Sequence, residues 1–154
     1  MPGTKGQRDN DRNAGGDFAG GRESYLQRRK AKQLELEAII KALHLKILAG
    51  NERLTTCVKG GYTGDLLSDV MANSSEGDLW ITRQTHQNII AVASLKEHAG
   101  IVLTGGSEPA PETVARAQQE NIPLLVSDRF SFALSGELYM LITKKEGKPS
   151  PGDE

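Results

Sequence analysis

Three short segments hold residue types that could do chemistry. The first is Thr82-Arg83-Gln84-Thr85-His86-Gln87-Asn88, an unbroken polar run directly after the apolar Leu79-Trp80-Ile81. Arg83 can hold an anion, His86 can change charge near neutral pH, and Asn88 can pair with a base or an amide. The second is Thr104-Gly105-Gly106, which follows Ile101-Val102-Leu103. Paired glycines let a backbone turn sharply and present its amides, which suits an anion or a ligand carbonyl. They suit a plain strand-to-helix turn equally well. The third is Lys59-Gly60-Gly61-Tyr62. A lysine there could hold a phosphate while the tyrosine stacks a ring, or the glycines could make a tight turn with Tyr62 on the core.

Other residues carry weaker signals. The Gly-Lys-Ser/Thr ending of a phosphate loop is missing, and so is a GxGxxG run. His44, His86 and His98 lack metal-ligand spacing with one another or with Cys57, so no metal or cofactor is expected. His98 reads as a cation meeting the dipole of a helix C-terminus. Asp65 and Asp69 stand four apart on a predicted helix, but with no partnered base they do not argue catalysis. Cys57 reads as a buried small hydrophobe and Trp80 as core. The expectation is a protein that is not an enzyme.

The elements that must position these groups follow from periodicity and turn residues. Short apolar strands at 78–81, 101–103 and 124–126 alternate with helices, and each strand ends in small or polar residues. Two more strands are predicted around 44–48 and 55–58. Residues 60–64 are a glycine cluster, and a short helix is predicted over 65–72. Thr85 is a candidate N-cap for a helix reaching Ala99, with Gly100 as its left-handed stop. Pro111 and Glu112 suit the first turn of the next helix, which Asn121 and Pro123 end. A last helix is predicted over 130–142. The fold class is thus α/β: a single domain with a mostly parallel sheet of about five strands flanked by helices. Ligands of such sheets gather beyond the carboxyl ends of the strands. Thr82, Thr104 and Ser127 should share that edge, with Lys59 to Tyr62 near it if the glycine cluster folds over.

A long N-terminal helix, residues 23–43, precedes the domain. Its basic start, Arg28-Arg29-Lys30-Ala31-Lys32, suits an anionic contact or a solvated face. Its apolar residues lie on more than one face: Leu34, Ala38 and Ile39, but also Leu36, Ile40 and Leu43. One domain is not expected to cover them all, and a homodimer follows. Residues 1–22 and 144–154 read as disordered tails, too polar and glycine- or proline-rich to bury a core. The α/β domain is then 44–143.

Charge narrows the partners. The chain of 154 residues has 19 Lys and Arg against 20 Asp and Glu, a net charge of −1. Without a basic stripe, nucleic acid is not an expected partner. No apolar run is long enough to span a bilayer, the N-terminus lacks a secretory pattern, and the lone cysteine fits a reducing compartment. The expected location is the cytoplasm.

Gly77-Asp78-Leu79 followed by a helix, then Gly100-Ile101-Val102-Leu103-Thr104-Gly105-Gly106, then Pro109 and a helix ending at Ile122-Pro123, resembles the DRTGG domain over about residues 44–142. That family resembles the N-terminal domain of HPr kinase/phosphorylase and occurs between CBS domains in regulated family-II pyrophosphatases. The resemblance implies an α/β regulatory module, often dimerising, with no catalytic residues of its own. Free-standing versions occur in anaerobic bacteria, some beside iron-only hydrogenase genes. The Asp-Arg half of the family name does not precede Thr104 here. Thr82-Arg83 takes its place, with the arginine kept and the acid absent. The expected function is a non-catalytic regulatory module that senses a small anionic metabolite or nucleotide and acts as a dimer. The expected site is Thr82, Arg83, His86, Asn88, Thr104, Gly105 and Gly106, with Lys59, Gly60, Gly61 and Tyr62. The alternative is a protein-interaction or assembly module without a small ligand, linked to hydrogenase or fermentative metabolism.

Overall fold

A computed structural model describes residues 34–144. In chain order it contains β1 (Leu34–Glu35), α1 (Leu36–Leu43), β2 (Lys46–Ala49), a 3₁₀ turn (Asn51–Arg53), β3 (Cys57–Val58), β4 (Gly60–Thr63) and α2 (Leu67–Asn73). Then follow β5 (Asp78–Thr82), α3 (Asn88–Leu95), β6 (Gly100–Leu103), α4 (Pro111–Glu120), β7 (Leu124–Val126) and α5 (Ser131–Thr143). Five strands form one sheet in the order β2-β7-β6-β5-β4, and β1 pairs with β3 in a separate antiparallel ribbon. β4, β5, β6 and β7 are parallel, and β2 runs antiparallel beside β7. The architecture is the expected α/β domain with a five-stranded, mostly parallel sheet flanked by helices.

Alternation along the strands divides the core. Successive strand residues point to opposite faces. Leu79, Ile81, Val102 and Leu125 join the buried residues of α1 and α5 on one face. Trp80, Ile101, Leu103 and Leu124 join those of α2, α3 and α4 on the other. All of β5 and β6 is buried, as both-sided helix cover requires of a parallel sheet.

Several local expectations are corrected. Of the long N-terminal helix only residues 34–43 lie within the described residues, and there Leu34–Glu35 is a strand that pairs with β3. Leu36, Ile39, Ile40 and Leu43 are all buried in the domain's own core, so a partner is not needed to cover them. His44 is not in a strand but caps α1 in the left-handed region, at φ 54°. Gly60 to Thr63, within the glycine cluster, form a strand, which neither reading of that cluster included; their backbones continue the parallel ladder beside β5. Thr85 does not cap α3, and Gly100 is the first residue of β6; the left-handed residue before it is Glu97. Cys57 is exposed rather than buried.

His98 is also unlike its expectation. It is only 3 % exposed, beneath the edge of Trp80, with ring centroids 5.7 Å apart. The Ser74 hydroxyl donates to the Val70 carbonyl at 2.5 Å, so its oxygen accepts from His98 Nε2–H at 2.8 Å. That leaves Nδ1 as the acceptor nitrogen, buried with no hydrogen-bond partner. Burial pushes the His98 pKa down from 6.5 to about 4, against the pull of the Asp78 carboxylate and with a further push from Lys96. His98 is therefore a neutral core residue and not a cation on a helix dipole.

Two predictions follow from the packing. Gly50 has φ +80°, and a Cβ there would stand 2.4 Å from Pro123 Cα and N. Gly50→Ala should lower the urea-unfolding free energy by roughly 2–5 kcal/mol, combining left-handed strain with overpacking. Gly136, in α5 with open space around its Cβ position, is the contrast: Gly136→Ala should raise stability by up to about 1 kcal/mol. The second concerns pH. Between the ordinary histidine pKa and about 4, the unfolded chain holds a proton at position 98 that the folded chain does not. Stability should therefore fall as pH drops through 6.5 toward 4. Between pH 6.5 and 5 that slope should flatten in His98→Gln, as read by urea midpoints at each pH.

Candidate functional site

The register of β5, β6 and β7 sets the geometry. Thr82 lies opposite Leu103, and Leu103 opposite Val126, so the segments after all three strands leave at one edge. The ladder runs one step further: Thr104 N–H donates to the Thr82 carbonyl at 3.1 Å, and Ser127 N–H to that of Leu103 at 2.9 Å. The helices then part. α2, α3 and α4, which follow β4, β5 and β6, pack on one face through Val70, Ile89 and Ala117. α5, which follows β7, packs on the other through Leu134, Leu138 and Ile142. The chain thus switches faces between β6 and β7. Ligands of open α/β sheets sit outside the carboxyl ends of the strands at such a point. Its walls are the loops at residues 104–110 and 127–130.

Two backbone bonds lace these loops together. Gly105 N–H donates to the Arg129 carbonyl at 2.8 Å, and Gly106 N–H to the Ser127 carbonyl at 3.2 Å. Both glycines have positive φ, +69° and +70°. Of the two readings of this turn, the backbone hydrogen bonds fit the plain strand-to-helix turn, with both glycine donors taken by the opposite loop. Thr104 is fully buried, and its hydroxyl pairs with that of Ser131 at 2.7 Å. Thr82 is likewise buried; its Oγ1 donates to Asp65 Oδ1 at 2.9 Å and accepts from Gln84 N–H at 3.2 Å. These two threonines hold the edge together and have no donor or acceptor turned outward for a ligand.

The side chains above this floor are different ones. Arg83 is exposed, and its Nε lies 3.8 Å from where a Cβ of Gly105 would be. The ring of Phe130 lies 3.5 Å from the same point, and Asp128 Oδ1 lies 3.8 Å from the corresponding point on Gly106. Arg129 beside them is already paired with Glu137. Among the described residues, no carboxylate forms an ion pair with the Arg83 guanidinium. A carboxylate does reach the Arg83 backbone, one that the sequence places on a predicted helix with Asp69. Asp65, in the loop after β4, accepts from Arg83 N–H at 2.8 Å as well as from Thr82. Asp65 is not on a shared helix face with Asp69, because α2 starts only at Leu67.

The remaining predicted residues are scattered. His86 and Asn88 are exposed on the next turn, where Asn88 N–H donates to His86 Nδ1 at 3.2 Å. Lys59 and Gly60 lie at the opposite, amino-terminal edge, since Gly60 pairs with Asp78 at the start of β5. Lys59 packs over Gly77 there and reaches Glu76 at 3.6 Å. Gly61 sits within β4, and the Tyr62 hydroxyl donates to Asp69 Oδ2 at 2.5 Å. The structure therefore brings Arg83, Gly105 and Gly106 together and separates Lys59 and Gly60 from them. The residues missed in the sequence are Asp65, Asp128 and Phe130. The last two could have been found, since they follow Ser127 at the same edge.

No helix among the described residues is long and apolar enough to cross a membrane, and no cluster of His, Cys, Asp or Glu there could hold a metal ion. No curated protein sequence matches the chain. A solved structure of similar fold is that of the CBS and DRTGG domains of the regulatory region of Clostridium perfringens pyrophosphatase, complexed with its activator diadenosine tetraphosphate. The match has a TM-score of 0.58 at 20% identity and covers 79% of this chain and 50% of that one, so this chain spans half the length of that region. The sequence profile of the DRTGG domain matches residues 38–140, which is most of the described structure. With its Thr-Gly-Gly turn at the point where the helices change sides, this chain belongs to the DRTGG domain family.

Proposed function

We propose that this chain is a non-catalytic regulatory module that binds a small anionic metabolite, a nucleotide being the first candidate, at the carboxyl edge of β5, β6 and β7. The observation that carries this is the change of helix side between β6 and β7, with Arg83 exposed above it. The regulatory role is supported by the family and by a neighbour of similar fold that is itself a regulatory region with a nucleotide activator bound. The cytoplasm is the proposed location. In this reading the hydroxyls of Thr82 and Thr104 shape the site, and Arg83 makes the contact.

The module acts as a homodimer, through a surface other than the one the sequence pointed to. α5 leaves Phe132 94 % and Met140 68 % exposed, eight residues apart on one helical face. Large apolar side chains aligned in this way are costly to leave in water, and isologous pairing with a second copy covers both at once. The same face supports the second reading, an assembly module whose polar loops hold no ligand.

A thermal-shift panel of nucleotides, sugar phosphates and organic acids separates the two readings. A ligand at 100 times its Kd should stabilise the fold by about 2.7 kcal/mol. Arg83→Ala should weaken that ligand by about 1.5–3 kcal/mol while leaving the unliganded midpoint unchanged. A flat panel, or an Arg83→Ala variant that binds as tightly as wild type, would sink the ligand reading. For the dimer, light scattering at micromolar concentration should give twice the monomer mass. Phe132→Glu should give the monomer mass with wild-type circular dichroism, and a thermal midpoint that no longer rises with protein concentration.

A further inference from the structure

The two glycines of the Thr104-Gly105-Gly106 turn are flanked by three chemically different groups. Above Gly105 stand the Phe130 ring and the Arg83 guanidinium, and above Gly106 the Asp128 carboxylate. Phe130 is 68 % exposed, so its ring is not spent on the core. Only a residue without a side chain leaves the space between ring and guanidinium open, and φ of +69° keeps Gly105 in the region that favours glycine.

The set is selective by its charges. A bare phosphate would gain Arg83 but would meet the carboxylates of Asp128 and Asp65 at the same edge. Like charges that close repel, and the net field is not that of a general anion trap. A ligand that fits must bring three things: a flat ring for Phe130, hydrogen-bond donors for Asp128, and an anionic group for Arg83. Stacking on an aromatic ring is available to every nucleobase, ribose hydroxyls donate to carboxylates, and a phosphate takes the planar guanidinium fork. α5 begins at Ser131, so the positive end of its dipole lies at this edge too.

We infer that this edge binds a nucleoside phosphate, with the base stacked on Phe130, the ribose hydroxyls donating to Asp128 and the phosphate on Arg83. This rests on the reading of a ligand at the β5–β7 edge, and it names that ligand's class and the residue that recognises its ring.

Titration calorimetry on the full chain tests it with AMP, GMP, adenosine and inorganic phosphate as probes. Wild type should bind at least one of the two nucleotides, adenosine more weakly, and inorganic phosphate far more weakly than either. Phe130→Ala should weaken the nucleotide about 5- to 100-fold, and Phe130→Trp should retain it. Arg83→Gln should weaken the nucleotide but leave adenosine unchanged. Because Phe130 is exposed, each variant should keep the wild-type circular dichroism and thermal midpoint. Phosphate binding as tightly as the nucleotide, or a Phe130→Ala variant with wild-type nucleotide affinity, overturns the inference while the ligand site stands. If neither nucleotide binds but another metabolite raises the midpoint in an Arg83-dependent way, the inference alone falls. If no metabolite of the panel acts, the wider reading falls with it.

Discussion

A parallel strand cannot reach its neighbour by a tight turn, and most of this structure follows from that constraint. Each step from β4 to β7 needs a crossover, so each strand is followed by a loop and a helix, and all those loops leave at the carboxyl edge. The first three crossovers cover one face and hide Trp80, Ile101 and Leu103. The other face would stay wet if the chain stopped there. α5 returns across it with Leu134, Leu138 and Ile142, and α1 lies beside it with Leu36, Ile39 and Ile40. The face switch after β7 is thus a requirement of burying a two-sided sheet, and the parted loops at residues 104–110 and 127–130 are its consequence.

Those loops are then tied to one another. Lacing Gly105 to Arg129 and Gly106 to Ser127 satisfies amides that a sharp turn would otherwise leave without partners. The floor becomes stiff, and polar recognition moves from the backbone to the side chains above it. Asp65 extends the same logic to the neighbouring strand. By accepting from Thr82 and from the Arg83 amide, it ties the loop after β4 to the loop after β5 and fixes where the Arg83 side chain departs. An arginine on a fixed backbone loses less entropy on meeting an anion than one on a free loop.

The two edges of the sheet separate what looked alike in sequence. Lys59-Gly60-Gly61 and Thr104-Gly105-Gly106 are both a polar residue before paired glycines. The first enters a strand at its amino end, and the second leaves one at its carboxyl end. Only the second has positive φ at both glycines, because only there does the chain turn toward a helix. In β4 the lack of a side chain serves packing: a Cβ on Gly61 would come within 2.9 Å of Leu138 on α5.

The strands β5, β6 and β7, the helices between them, the Pro111 start and the Asn121 stop of α4 were all legible in the sequence. They rest on local properties: apolar alternation, proline's fixed φ, and asparagine's tolerance of the left-handed region. The common edge of Thr82, Thr104 and Ser127 was legible too, since parallel strands of similar length must end together. Tertiary structure alone decided the rest. It made Gly60 to Thr63 a strand, because ladder partners on β5 outweighed the turn propensity of glycine. It kept His98 neutral, because burial in the core, a property of the packed fold and not of the preceding helix, decides its charge. It brought Asp65 to Thr82 and the Arg83 amide, across a separation in the chain that no periodicity records. Periodicity reports which face a residue takes, whereas the company a side chain keeps depends on strand order, which is set by burying both faces of the whole sheet at once.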